Sequence, residues 1–281
     1  MSDTGSGTPP ADPVDAARAR DEVENQANVL YLAALAYIAT HGEDEDPDDD
    51  SAVGRAAKTL ALKLLRSVRR QFATPPKGLR GEARQEWVRE QARTITQQAV
   101  AESRAHYSTV AKREKKRDPA VSDRAIMAAV ADDRPWAAAA ARTTATQRAA
   151  ETALDMLPDV EKVTGEPHSK LWISRGDPKV RKLHRKLHGK VRTLGSAFEE
   201  WPSGQSLSYP GDPKAPLDAT INCRCALFLV PTKDAKAAEA TFEVDDEDFD
   251  VPLTAAAAQV RSWERERARR EWFLELGLRR S

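Results

Sequence analysis

Cysteine is almost missing from this chain. Its 281 residues hold two, Cys223 and Cys225, one residue apart in "INCRC" (221–225). So close a pair builds no disulfide framework, which excludes a disulfide-stapled scaffold and fits a reducing site of synthesis. Aromatic residues are also scarce, at 6%, within a hydrophobic share of 40% that includes alanine; this disfavours a core built throughout from sheet and favours alanine-rich helices. No apolar run approaches the ~18 residues that span a bilayer. The opening "MSDTGSGTPPADP" lacks the apolar core of a secretory signal, so the expectation is a soluble protein with no membrane partner. Neither charge sign is in excess: Lys+Arg and Asp+Glu are 44 each, which removes any global attraction to nucleic acid.

What is present is charge that segregates locally. "EDEDPDDDS" (43–51) and "EVDDEDFD" (243–250) are acidic, and "AKREKKRD" (111–118) and "KVRKLHRKLHGKVR" (179–192) are basic. The plain reading of the acidic runs is a solvated linker or helix face.

Punctuation divides the chain into four parts. Residues 1–12, rich in Gly, Ser and Pro, form a flexible arm. Residues 13–135 read as helical. Asp12 caps a first helix with Pro13 at its first position and Gly42 past its end. A second, over 52–73, sets Leu60, Leu64 and Val68 against Arg55, Lys58, Arg66 and Arg69. A third starts near Glu82 and runs through Trp87, Ile95 and Val100 to the basic cluster. Ser122 or Asp123 caps a fourth, which "DDRPW" (132–136) interrupts. Residues 136–231 open with a fifth helix over 136–157, after which Gly, Pro and short apolar runs such as "KLWIS" and "CALFLV" indicate a compact α+β module with strands. Residues 232–281 read as an acidic linker and a charged C-terminal helix that docks through Val260, Trp263, Trp272, Phe273 and Leu276. The fold class is therefore α+β: a helical N-terminal half, an α+β module and a C-terminal helix.

Within the module, "RGDPKVRKLHRKLHGK" (175–190) predicts a short helix capped by Asp177, with Pro178 in its first turn and Gly189 past its end. Val180, Leu183 and Leu187 form its apolar stripe, and Asp177, Arg181, His184 and His188 stack along an adjoining face. In a strand beginning near Ile221, Cys223 and Cys225 point to one side and Asn222 and Arg224 to the other. Two readings follow. One is zinc held by Cys223 and Cys225 with His184, His188 or both. The other is a pair of buried free thiols beside hydrogen-bonded histidines. The second is the expectation, because neither C-x-C nor H-x3-H is a standard zinc spacing on its own.

The ordered set "ARTTATQRAAETAL" (141–154), "KLWIS…DPKVRKLHRKLHG" (170–189), "YPGDPKAP" (209–216) and "INCRC" resembles the phage Mu F-like family of minor head, or head morphogenesis, proteins over about residues 137–231. The family's pattern falls on Arg142, Trp172, Asp177, Arg181, His184, Gly189, Asn222, Cys223 and Cys225. One departure is visible: Arg142-Thr143 is followed by Thr144, where members often carry an acidic residue. The resemblance implies a Mu F-like module and a structural component of the virion, inside the phage head, made in the bacterial host cytoplasm. Its implied partners are the portal protein, scaffold and major capsid protein. Packaged double-stranded DNA is a further candidate partner, through non-specific contacts from Lys182, Arg185 and Lys186. The competing reading is a phage enzyme, nuclease-like or a head maturation protease, using Asp177, Arg181 and His184. With Asp177 assigned as a cap and no nucleophile motif in the chain, the expectation is a non-enzyme without a cofactor.

Overall fold

Alanine and leucine at helical spacing build the first part of the chain. The computed structural model describes residues 13–41, 45–69, 81–131, 133–174, 180–223 and 225–242. The expected arm over 1–12, Asp177 with Pro178, Arg224 and the expected C-terminal helix lie outside the described residues. Five helices come first: α1 (Pro13–His41), α2 (Ala52–Arg69), α3 (Gly81–Arg117), α4 (Asp123–Ala131) and α5 (Arg134–Thr164). The first begins at Pro13 and ends before Gly42, as the cap residues predict. In α2, Leu60, Leu64 and Val68 are fully buried while Arg55, Lys58 and Arg66 face solvent. Ser51 caps it by accepting from the Gly54 amide at 3.0 Å. Ser122 caps α4 by accepting from the Ala125 amide at 3.3 Å. Among the described residues, no helix is long and apolar enough to cross a membrane.

The fifth helix departs from expectation at both ends. It starts at Arg134, because the Asp133 side chain accepts from the Trp136 amide at 3.1 Å. Pro135 then sits in the first turn, where its missing N–H is no loss. The helix also continues through Pro158 to Thr164, closed by Gly165 at φ 70°. Burial of Met156, Leu157 and Val160 offsets the bond that Pro158 cannot make.

After α5 the chain runs through β1 (His168–Ile173), α6 (Lys182–Leu187), β2 (Val191–Thr193), a β3–β4 hairpin (Glu199–Glu200 and Ser206–Leu207), α7 (Leu217–Thr220), β5 (Ala226–Pro231) and α8 (Ala235–Phe242). The sheet order is β2-β1-β5, antiparallel throughout, with Leu171 opposite both Val191 and Phe228. All of β1 is buried. Its Leu171 and Ile173 pack with Val230 and Ala238, while Trp172, on the opposite face, packs with Leu187, Phe198 and Leu227.

Three expectations fail here. The helix over 178–188 begins only at Lys182: Val180 turns into the core at 7% exposure and Arg181 is extended (ψ 150°), so the N-cap of the described helix is Arg181. The two cysteines are not in a strand. Asn222 takes the left-handed conformation (φ 58°) in a turn after α7, and β5 starts only at Ala226, so strand alternation does not govern 221–225. The stretch after Pro231 is not all linker: a 3-10 turn (Thr232–Asp234) leads into α8, whose Ala238 is fully buried against the sheet.

Two cores share α5. Ala137, Ala141, Ala145, Ala153, Met156 and Leu157 belong to the core formed with the other helices, whereas Ala150 and Leu154 face the core around Trp172. A polar chain crosses the same helix. The Tyr31 hydroxyl, fully buried, donates to Glu102 and shares a 2.6 Å contact with Thr144. Gln98 donates to Glu102, Arg148 donates to Gln98 and pairs with Glu151, and the Tyr209 hydroxyl donates to Glu151 at 3.1 Å.

Candidate functional site

Three segments meet beneath the sheet. Trp172 comes from the middle strand, His184 from α6, and Cys223 and Cys225 from the loop entering β5. All four side chains are at most 1% exposed. The His184 ring stands edge-on to Trp172 with centroids 5.3 Å apart. Its Nδ1 lies 3.7 Å from Cys223 Sγ and 3.4 Å from Cys225 Sγ. The Cys225 thiol and the His184 ring hold the Cys223 thiol well below its ordinary pKa, against burial, which acts the other way. His184 Nε2 and Trp172 Nε1 are buried with no hydrogen-bond partner among the described residues.

Backbone positions around the cluster are tightly specified. Gly189 sits at φ 77°, a region other residues enter only at a cost. It ends α6 and donates its amide to the Trp172 carbonyl at 2.9 Å, while the Trp172 amide donates to Lys190. Asn222 takes the left-handed turn that its side chain tolerates better than most. Its side-chain oxygen accepts from Arg142 Nε, and its amide donates to Thr143 Oγ1 at 2.7 Å. Arg142 also faces Glu24 of α1 at 3.8 Å. The Arg181 guanidinium donates to the Ile221 carbonyl.

The signature positions Arg142, Trp172, Arg181, His184, Gly189, Asn222, Cys223 and Cys225 thus surround one locus, and Asp177 lies outside the described residues. His188 does not join it. Its Nδ1 accepts from the Ser174 amide at 3.1 Å, and burial pushes its pKa down to about 4. Of the basic trio, Lys182 and Lys186 are exposed, whereas Arg185 is half-buried and donates to the Val180 carbonyl at 3.0 Å.

Several supporting residues were not singled out from the sequence. Thr146 donates to the Cys223 carbonyl at 2.8 Å, so Thr143 and Thr146, one helical turn apart in α5, pin successive residues of the cysteine loop. The hydroxyl pair at i, i+3 in "RTTATQR" was the available signal. In "YPGDPKAP", Gly211 lies so close to α5 that a Cβ would stand 2.9 Å from the Gln147 amide nitrogen. Asp212, 1% exposed, accepts from the amides of Ser208 and Lys214. Lys170, also 1% exposed, donates to the carbonyls of Ser196 and Ser208 at 2.7 and 3.0 Å, tying both loops to β1. No sequence pattern marks a lysine in a strand for burial.

Chemically, the cluster offers two soft sulfur donors and one imidazole nitrogen in a dry setting, with no donor open to a large substrate. No family model, no curated protein and no solved structure matches this chain.

Proposed function

We propose that this chain is a minor head protein of a tailed phage, a structural component of the virion with a Mu F-like module, assembled near the portal with scaffold and major capsid protein. The observation that supports this reading is the convergence described above. The described residues that carry the resemblance are spread from Arg142 to Cys225 in sequence, yet they surround one buried cluster and the turns that hold it. Such a set acts as a folding unit. Its groups serve packing: Arg181 holds the Ile221 carbonyl, and His184 is sealed against two thiols. A nuclease or protease would need those groups within reach of a polymer substrate, so the structural role is preferred to the enzymatic one.

Mass spectrometry of purified particles, before and after DNA release, tests the proposal. The expected result is the chain in intact heads at fixed stoichiometry; its absence from particles would overturn the reading. Contact with packaged DNA belongs to the same proposal. The exposed Lys182 and Lys186, with Arg55, Lys58 and Arg66 of α2, would supply phosphate contacts whose affinity falls with salt and ignores sequence.

A further inference from the structure

We infer that His184, Cys223 and Cys225 form a zinc site, with His184 binding through Nδ1 and both cysteines as thiolates. The inference is independent of the phage reading and runs against the expectation from spacing alone. It rests on geometry. The three donor atoms all lie within 4.8 Å of one another. Zinc bonds of about 2.3 Å to sulfur and about 2.0–2.1 Å to nitrogen give tetrahedral edges of about 3.6 Å between S and N and about 3.8 Å between the two S atoms. The observed S···N separations, 3.7 and 3.4 Å, bracket the first value.

Hydrogen bonding alone accounts poorly for this arrangement. A ring nitrogen carries either one lone pair or one N–H. It can make one linear contact with a thiol, yet Nδ1 has both sulfurs at close range. A metal at the centre of the triangle satisfies both at once. Charge agrees: two thiolates, a neutral imidazole and Zn²⁺ sum to zero, so the complex fits a site where each ligand residue is about 1% exposed. As the two Zn–S bonds form, two thiol protons leave for solvent.

The protein also holds the donors in place. Thr146 fixes the Cys223 carbonyl, Arg142 and Thr143 fix Asn222, and the left-handed turn at Asn222 brings both sulfurs inward without a strand. C-x-C is not a standard zinc spacing on its own, but here the turn and His184 bring three donor atoms together that the spacing does not encode. His188, committed to the Ser174 amide, is not a ligand. Three protein ligands leave one zinc position for a water molecule.

The test uses the full chain, expressed with zinc in the medium and purified under reducing conditions without chelator. Elemental analysis is expected to find one zinc ion per chain. Exchange for Co²⁺ is expected to give the thiolate-to-cobalt charge-transfer band and the intense visible bands of a tetrahedral site. Cys223→Ser, Cys225→Ser and His184→Ala should each abolish stoichiometric zinc, while His188→Ala keeps it. Because the ligand variants could fail to fold, the unmodified chain decides independently. Zinc-free protein that takes up no Co²⁺ with a thiolate band, or an intact mass showing a Cys223–Cys225 disulfide in freshly reduced and desalted protein, would overturn the site. So would loss of zinc from folded His188→Ala.

Discussion

At the scale of single residues, two glycines with the same backbone twist have different jobs. Gly204 (φ 81°) and Gly211 (φ 80°) are both left-handed, but nothing lies within 4 Å of a Cβ on Gly204, whereas one on Gly211 would meet the Gln147 backbone at 2.9–3.0 Å. Gly204→Ala is expected to cost about 1 kcal/mol from conformation alone, and Gly211→Ala at least about 2 kcal/mol more, measured by denaturant unfolding. Equal losses would show that the turn does not press on α5. A second residue-scale prediction concerns His188. Its pKa is pushed down to about 4 in the fold by burial, from the ordinary histidine value of 6.5. The neutral ring is favoured in the folded state, so its contribution is complete above about pH 6.5 and is lost as pH falls toward 4. Stability is expected to drop by on the order of 2–3 kcal/mol across that window through this residue. His188→Gln, which keeps an acceptor for the Ser174 amide, should flatten that part of the profile in unfolding measurements at stepped pH. An unchanged profile would remove His188 as the cause.

At the scale of elements, α6 is short, and its fixing depends on few contacts. Leu187 is 5% exposed in the core around Trp172, while Leu183 is only half-buried against it. Leu187→Ala is expected to cost about 2–5 kcal/mol and Leu183→Ala clearly less, by denaturant unfolding. Equal, surface-like values for both would mean that α6 does not dock where its stripe indicates. The same helix shows what sequence could and could not give. Its C-terminus was legible because Gly189 is needed for a left-handed turn. Its start was not, because the burial of Val180 and the extended Arg181 depend on tertiary contacts that no cap pattern encodes. Likewise α1 was readable from Pro13 and Gly42. The passage of α5 through Pro158 was not, since side chains far off in sequence stabilise the turns beyond it. For the site, composition located the cysteines and helical spacing located His184. The loop that unites them turns on φ at Asn222, which a non-glycine residue does not announce.

At the scale of the whole molecule, α5 makes two cores into one system. The polar chain from Tyr31 through Glu102, Gln98, Arg148 and Glu151 to Tyr209 spans it. Separating the halves would leave parts of this network half-satisfied, which is costly in a low-dielectric interior. The described residues are therefore expected to unfold in one transition, with tryptophan fluorescence and far-ultraviolet circular dichroism giving the same midpoint. Two distinct midpoints would show that the halves are separable. The placement of hydroxyls and charges on one side of α5 has a further consequence for how the chain is made. Synthesis runs from the N-terminus, so the apolar side of α5, with Ala137, Ala141 and Ala145, can close on the earlier helices as they leave the ribosome. Its other side must wait for Tyr209, Gly211 and the cysteine loop to be translated. Thr143, Thr146 and Glu151 are residues that water can solvate during that wait, so only Ala150 and Leu154 leave apolar surface on that side of the nascent helix before its own partners arrive.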